Sequence, residues 1–257
     1  MLVDSHCHLD FPELHSNIDA VTARMADAGV GHALCVAVNM EDFPRVRDLA
    51  ERFDQLSASV GVHPDHEGGE EPDVARLVAL AAHPKVVAIG ETGLDYYRHP
   101  ERAEAQLARF RAHIRAAREA GKPLIVHTRS ASEDTLGVMR EENAQVAGGV
   151  MHCFTETWEV AEAAMEMGFY ISFSGIVTFR NATELREVAR RVPAERLLVE
   201  TDSPYLAPVP LRGRTNEPAF VRHVAEEVAR VRGIGIEALA GLTTANFFRL
   251  FRDARAV

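Results

Sequence analysis

Eight short apolar or β-branched runs, separated by longer amphipathic stretches, recur along the whole chain, and this alternation constrains the fold more than any other feature. The runs are LVDSHCH (2 to 8), HALCVAV (32 to 38), LSASVGVH (56 to 63), VVAIGE (86 to 91), PLIVH (123 to 127), GGVMHC (148 to 153), FYISFSG (169 to 175) and RLLVETD (196 to 202). Runs of this length and composition read as strands. Between them the apolar spacing changes to steps of three or four. In ERAEAQLARFRAHIRAAREAG, Leu107, Phe110, Ile114 and Ala117 share one face, and Gly121 supplies the stop. The same period covers NIDAVTARMADAG, MEDFPRVRDLAERF, PDVARLVALAAH, SEDTLGVMREEN, WEVAEAAMEMG, ATELREVARRV and PAFVRHVAEEVARVRG, and a further helix is expected near IEALAGLTTANFFRLF. Eight strand and helix units within about 250 residues predict an α/β chain folded as a (β/α)8 TIM barrel, a single domain over 1–257, rather than an open doubly wound sheet. The 47% hydrophobic content supplies enough apolar side chains for that core. The polar segment HPDHEGGEEPD (63 to 73) and the Pro-rich PYLAPVPLRGRTNEPA (204 to 219) both fall at strand exits, where a barrel builds its active site.

No apolar run approaches the roughly 18 residues that span a bilayer, and MLVDSHCHLD lacks the basic then apolar layout of a secretory signal. A soluble, cytoplasmic protein with no membrane partner is therefore expected, and a monomer. Cys7, Cys35 and Cys153 are odd in number and scattered, which predicts reduced thiols. Cys7 and Cys153 alternate with neighbouring polar residues and are expected to face the core. The net charge of −10 argues against a broad basic face that coats long nucleic acids, and leaves room only for a small cationic site making few phosphate contacts.

His6 and His8, two apart on one predicted strand, point to the same face and can clasp a cation. Glu91 ends VVAIGE, His127 ends LIVH, His152 ends GVMH and Asp202 ends LLVETD, so four further strands terminate in a charged or imidazole side chain after apolar runs. Each residue alone has an ordinary explanation as a cap or a satisfied buried group. Together they lie at the carboxyl ends of strands that a barrel brings to one mouth. Mixed imidazole and carboxylate donors suit Zn²⁺ or Mn²⁺, and Mg²⁺ less readily. Six ligands exceed what one catalytic zinc uses, so two divalent ions bridged by a carboxylate are expected. A carbamylated lysine bridge has no source here, because Lys85 precedes its strand and Lys122 closes a helix. Glu91 is the bridge candidate.

SHCHLD at the start, GVHP at 61 to 64, GETGLDYYR at 90 to 98, KPLIVHTR at 122 to 129, MHCF at 151 to 154, ETDSPYLAP at 200 to 208 and RGRTNEP at 212 to 218 resemble, in order, the signatures of TatD hydrolases over essentially the whole chain. The resemblance implies that His6, His8, Glu91 and Asp202 hold one ion and that Glu91, His127 and His152 hold the other. It also implies deoxyribonuclease activity, often exonucleolytic, with single-stranded or frayed DNA as partner. RGRTNEP departs from the family's more frequent RGKRNEP by one basic residue.

On that reading Asp202 takes the proton of the attacking water, while Glu200, on the same face, either orients a ligand or pairs with an arginine. His63 either hydrogen-bonds the scissile phosphate or serves a turn beside Pro64. Arg129, Arg212 and Arg214 follow strands five and eight, where a guanidinium suits bidentate phosphate contact. Tyr96 and Tyr97 either stack on a base or pack their loop. The same ions would polarise the carbonyl of an aminoacyl-tRNA or lactone ester, and a metal-loaded binding protein with weak catalysis is the reading from another class.

Overall fold

The computed structural model describes residues 1–255. Strands β1 (Leu2–Cys7), β2 (Val30–Cys35), β3 (Leu56–Val60), β4 (Val86–Asp95), β5 (Leu124–Arg129), β6 (Gly149–Met151), β7 (Tyr170–Phe173) and β8 (Leu197–Val199) form one parallel sheet in chain order. The ends of that sheet meet. A parallel bridge joins Cys7 to Ser203, Asp202 N–H donates to His6 O at 3.0 Å, and His8 N–H donates to Ser203 O at 2.8 Å. The Asp4 carboxyl group locks the same seam from β1, accepting from Thr201 N at 2.8 Å and Thr201 Oγ1 at 2.6 Å. The expected (β/α)8 barrel is the fold.

Helices α1 (Pro12–His15) and α2 (Ile18–Asp27) follow β1, and α3 (Phe43–Arg52), α4 (Val74–Ala81), α5 (Ala103–Ala120), α6 (Ser132–Glu141), α7 (Trp158–Glu166) and α8 (Thr183–Arg191) follow β2 to β7 in turn. After the long loop from β8 come α9 (Val221–Arg232) and α10 (Ile236–Leu250). Only the single turn α1, opened by Pro12, has no counterpart among the expected helices. Among the described residues, no helix is long and apolar enough to cross a membrane. Side-chain alternation splits the core in two. On β2, Ala33 and Cys35 join the layer between sheet and helices, whereas Leu34 and the following Val36 point into the barrel. There they meet Val3, Ile125, Leu198, Phe247 of α10 and Phe251 just beyond that helix, which close the end opposite the mouth. Each of these fully buried phenylalanines contributes about 1.5 to 3 kcal/mol through the apolar area removed from water. Lys122 is also at that end, bonded to Asp253 at 2.8 Å, away from the mouth as expected.

Two strands bulge where they carry a ligand candidate. From Asp4 to Cys7 β1 takes three steps while β2 takes two, and from Ile89 to Thr92 β4 takes three steps while β5 takes two. A bulge re-aims the side chains beside it, and these two displace His6 and Glu91. The glycines of GETG make the second bulge possible. Gly90 has φ +142° and a Cβ there would lie 2.6 Å from Ile125 O; Gly93 has φ +130° and a Cβ would lie 2.0 Å from His127 O. Gly93→Ala is expected to cost at least about 1 to 3 kcal/mol, because both the dihedral and the contact are with backbone that cannot retract. A denaturant midpoint equal to that of the parent protein would show that β4 and β5 do not need this approach.

The second, third, sixth, seventh and eighth strands end earlier than their sequence patterns suggest. β3 stops at Val60, and His63 sits in a loop whose N–H donates to Val38 O at 2.9 Å. Cys153 at φ +43° and Asp202 at φ +57° take left-handed backbone conformations that end the pleat.

Candidate metal centre

All six ligand candidates converge at the mouth on Glu91, which is 3% exposed. Its two oxygens divide the imidazoles between them. Oε2 lies 3.2 Å from His6 Nε2 and 3.9 Å from His8 Nε2. Oε1 lies 2.7 Å from His152 Nε2, 3.4 Å from His127 Nδ1 and 3.2 Å from His63 Nε2. Asp202 Oδ1 faces the first set, 3.4 Å from His8 Nε2 and 3.7 Å from His6 Nε2. His63 therefore stands inside the ligand cluster, closer to the acid than its expected phosphate-facing place. Three groups of donors with spacing fit for an ion overlap here: His6 with His8 and Glu91, His6 with His152 and Asp202, and His63 with Glu91 and His127.

The donor chemistry fits a cation. His6 Nε2 and His8 Nε2 are 3.2 Å apart, near the roughly 3.3 Å that tetrahedral geometry imposes on two nitrogens each about 2.05 Å from zinc. His152 Nε2 is buried without a hydrogen-bond partner, although Glu91 Oε1 is so near. The opposite nitrogen of each ring is held by an acceptor that selects the tautomer. His8 Nδ1–H donates to Val36 O at 3.0 Å, His152 Nδ1 meets Glu200 Oε1 at 3.2 Å, and His127 Nε2 meets Asp95 Oδ2 at 3.1 Å. His63 Nδ1 is paired with Asp65. His6 is the exception, its Nδ1 buried without a partner.

Electrostatics agree. Burial opposes the charge on Glu91, but the imidazoles of His152, His63 and His6 overcome it and hold the carboxyl group well below its ordinary range. Burial likewise disfavours an imidazolium at His63, yet Glu91 and Asp65 raise it to about 9. His152 is raised by Glu91 and Glu200 against the same penalty. A cation bound among these nitrogens and carboxylates would compete with protons for the same imidazoles.

Glu200, which also accepts from Cys153 N–H at 2.7 Å, orients His152 and, among the described residues, meets no arginine. Cys153 corrects an expectation. It lines the mouth cleft, a space of about 500 Å³, instead of the core, because its left-handed backbone breaks the alternation that placed it outward. Cys7 is buried as expected, its Sγ donating to Leu34 O at 3.3 Å. Arg129 lines the cleft with its guanidinium 3.9 Å above the Tyr97 ring. Arg98 also lines it, paired with Asp65. Arg212 and Arg214 do not line it; Arg212 bonds Ala207 O within its own loop and covers Phe179. Tyr96 packs its loop through a 2.8 Å bond to Asp134, whereas Tyr97 is exposed.

Sequence reasoning found helix α5 but missed Asp95 and the polar side chains of that helix that support it. On α5, Gln106, Arg109 and His113 interrupt the apolar face at steps of three and four, and all three are buried. Gln106 accepts from Asp95 N at 2.7 Å. Arg109 donates to His63 O at 2.6 Å and to His66 O at 3.2 Å. His113, which burial holds neutral with a pKa lowered to about 4, accepts from Val62 N at 3.0 Å. One polar ridge thus braces the loop that carries His63 and the end of β4 that carries Asp95. Its signal in the sequence is the polar spacing 106, 109, 113 on an otherwise apolar stripe.

Comparison with known proteins gives a consistent picture. The family model described as TatD related DNase matches residues 3–252. An uncharacterised metal-dependent hydrolase, YcfH of Escherichia coli K12, is 53% identical over 253 residues, 97% of this chain and 95% of that protein. The 3'-5' ssDNA/RNA exonuclease TatD of Shigella flexneri is 36% identical over 256 residues, covering 97% of this chain and 98% of its own. The crystal structure of YjjV, a TatD homologue of Escherichia coli K12, superimposes with a TM-score of 0.92 at 30% identity over 98% of both chains.

Proposed function

The chain belongs to the TatD-related DNase family of metal-dependent hydrolases, and from that premise we propose that it hydrolyses phosphodiester bonds of DNA as an exonuclease working on single-stranded or frayed ends. The observation that carries the reading is Glu91, one buried carboxylate with a separate set of imidazoles at each oxygen. That division suits two divalent ions, Zn²⁺, Mn²⁺ or Mg²⁺, with Glu91 between them. His6, His8, Glu91 and Asp202 would hold one, and Glu91, His127 and His152 the other. Bound there, the pair would supply Lewis-acid stabilisation of charge on a phosphoryl oxygen and acidify a water.

The remaining steps belong to side chains. Asp202, whose carboxyl group His8 and His6 hold in the ionised form against burial, accepts the proton of the attacking water. His63, whose Nε2 lies 3.2 Å from Glu91 Oε1, donates from that nitrogen to a phosphoryl oxygen. Glu200 and Asp95 keep His152 and His127 in the tautomers that present a lone pair to the mouth. The acidic balance of the chain suits a substrate gripped at few phosphates.

Incubating the metal-reconstituted protein with end-labelled single-stranded and double-stranded DNA and RNA tests the proposal. A ladder of products shortened from one end, abolished by a chelator and restored by added cation, is expected. Turnover of an aryl ester with every polynucleotide left intact would replace the nuclease reading by that of an ester hydrolase.

A further inference from the structure

Of the large apolar side chains exposed among the described residues, the aromatic ones are Tyr97 and Tyr205, and both stand at the mouth. Tyr205 lines the cleft and is tied to the metal centre through its N–H, which donates to Asp202 O at 3.0 Å. Phe11 lines the same wall, its ring edge-on to Tyr205 with centroids 6.0 Å apart and stacked on His8 at 4.9 Å. On the other wall Arg129 lies flat on Tyr97 at 3.9 Å. Among the described residues neither tyrosine hydroxyl has a hydrogen-bond partner, and Arg129 has no carboxylate partner. The first pair follows β1 and β8, and the second lies after β4 and at the end of β5, so they face each other across an eight-stranded barrel with the ligand cluster between them.

We propose that these are two nucleobase-stacking platforms, Tyr205 with Phe11 and Arg129 with Tyr97, holding the bases on either side of the scissile phosphate. The inference rests on the nuclease reading above and adds how the strand is gripped. Exposed aromatic faces beside a catalytic centre leave apolar area in water that a planar, π-faced ligand covers, and every base offers such a face whatever its sequence. A flat arginine on an aromatic ring adds a cation to the second platform. Bases within a duplex cannot reach either wall, so the platforms select unpaired ends, and the sugar-phosphate between them is delivered to the mouth.

The test compares a single-stranded oligonucleotide with one carrying an abasic residue beside the scissile bond, using metal-loaded protein. Tyr205→Ala is expected to raise KM for the intact strand by about 10-fold or more with kcat little changed, and Tyr205→Phe to restore it. The abasic strand is expected to bind parent protein worse by a similar factor and to lose little more in Tyr205→Ala, since the same contact is missing in both. Equal losses for Tyr205→Ala on both strands, whether from general damage to the site or an unrelated contact, would overturn the platform. That result in a protein that still cleaves DNA removes the subsite alone; parent protein that leaves every oligonucleotide intact removes the nuclease reading and the subsite with it.

Discussion

Replacing Glu91 by alanine is expected to lower hydrolysis by more than about 1,000-fold and to reduce bound metal below that of the parent protein. The expectation follows from position. Among the described residues Glu91 is the one carboxylate within 3.9 Å of five imidazoles, three at Oε1 and two at Oε2, so on the two-ion proposal its loss would remove a ligand from both cation positions at once. Removing a single preorganised electrostatic contact typically costs about 100-fold to 1,000-fold, and here two are lost together. The variant must be examined for folding as well, because deleting one partner of a buried ion pair leaves the other uncompensated, at about 3 to 5 kcal/mol. Glu91→Gln keeps the volume and separates the two effects. Metal stoichiometry unchanged from the parent protein, measured on folded Glu91→Ala, would remove Glu91 as a bridge.

Asp202→Asn is expected to fold, keep its cations and hydrolyse DNA about 100-fold to 10,000-fold more slowly. Asparagine is the informative replacement for a backbone reason. Asp202 has φ +57°, a conformation that asparagine tolerates and most side chains do not. The bond closing the barrel at this point, from Asp202 N to His6 O, and the turn bond from Tyr205 N to Asp202 O are main-chain bonds and survive the substitution. What changes is the ability to accept a proton, while one oxygen ligand is retained. Metal content has to be measured in the same sample, so that lost turnover is not lost metal. A fully loaded Asp202→Asn protein cleaving DNA near the parent rate would make Asp202 a ligand only. Glu200 would then be the next candidate base, although its 3.2 Å bond to His152 and 2.7 Å bond from Cys153 N engage one of its oxygens.

The barrel and the six candidate ligands were legible in the sequence because the signals are local. A strand of period two and a helix of period 3.6 each declare themselves within ten or so residues, and a polar residue closing an apolar run marks a strand end wherever the strand goes. His6, His8, Glu91, His127, His152 and Asp202 needed only that, plus the rule that parallel strands of a barrel end at one mouth. Alternation loses its meaning where the chain leaves the pleat. Cys153 and Asp202 turn through left-handed conformations, and the β1 and β4 bulges shift His6 and Glu91 by one residue. From there side-chain direction is set by partners far away in sequence, Ser174 Oγ for Cys153 and His6 O for the Asp202 main chain. The same reason hid the ridge of α5, whose Gln106, Arg109 and His113 are polar because loops from β3 and β4 settle on them. Local pattern was thus enough to pick out six candidate ligands and to expect that they would meet. Which imidazole faces which oxygen of Glu91, that His63 joins them, and that Arg212 turns away while Arg129 stays were decided only by tertiary contacts, since a distance between two side chains depends on segments that neither residue's neighbours encode.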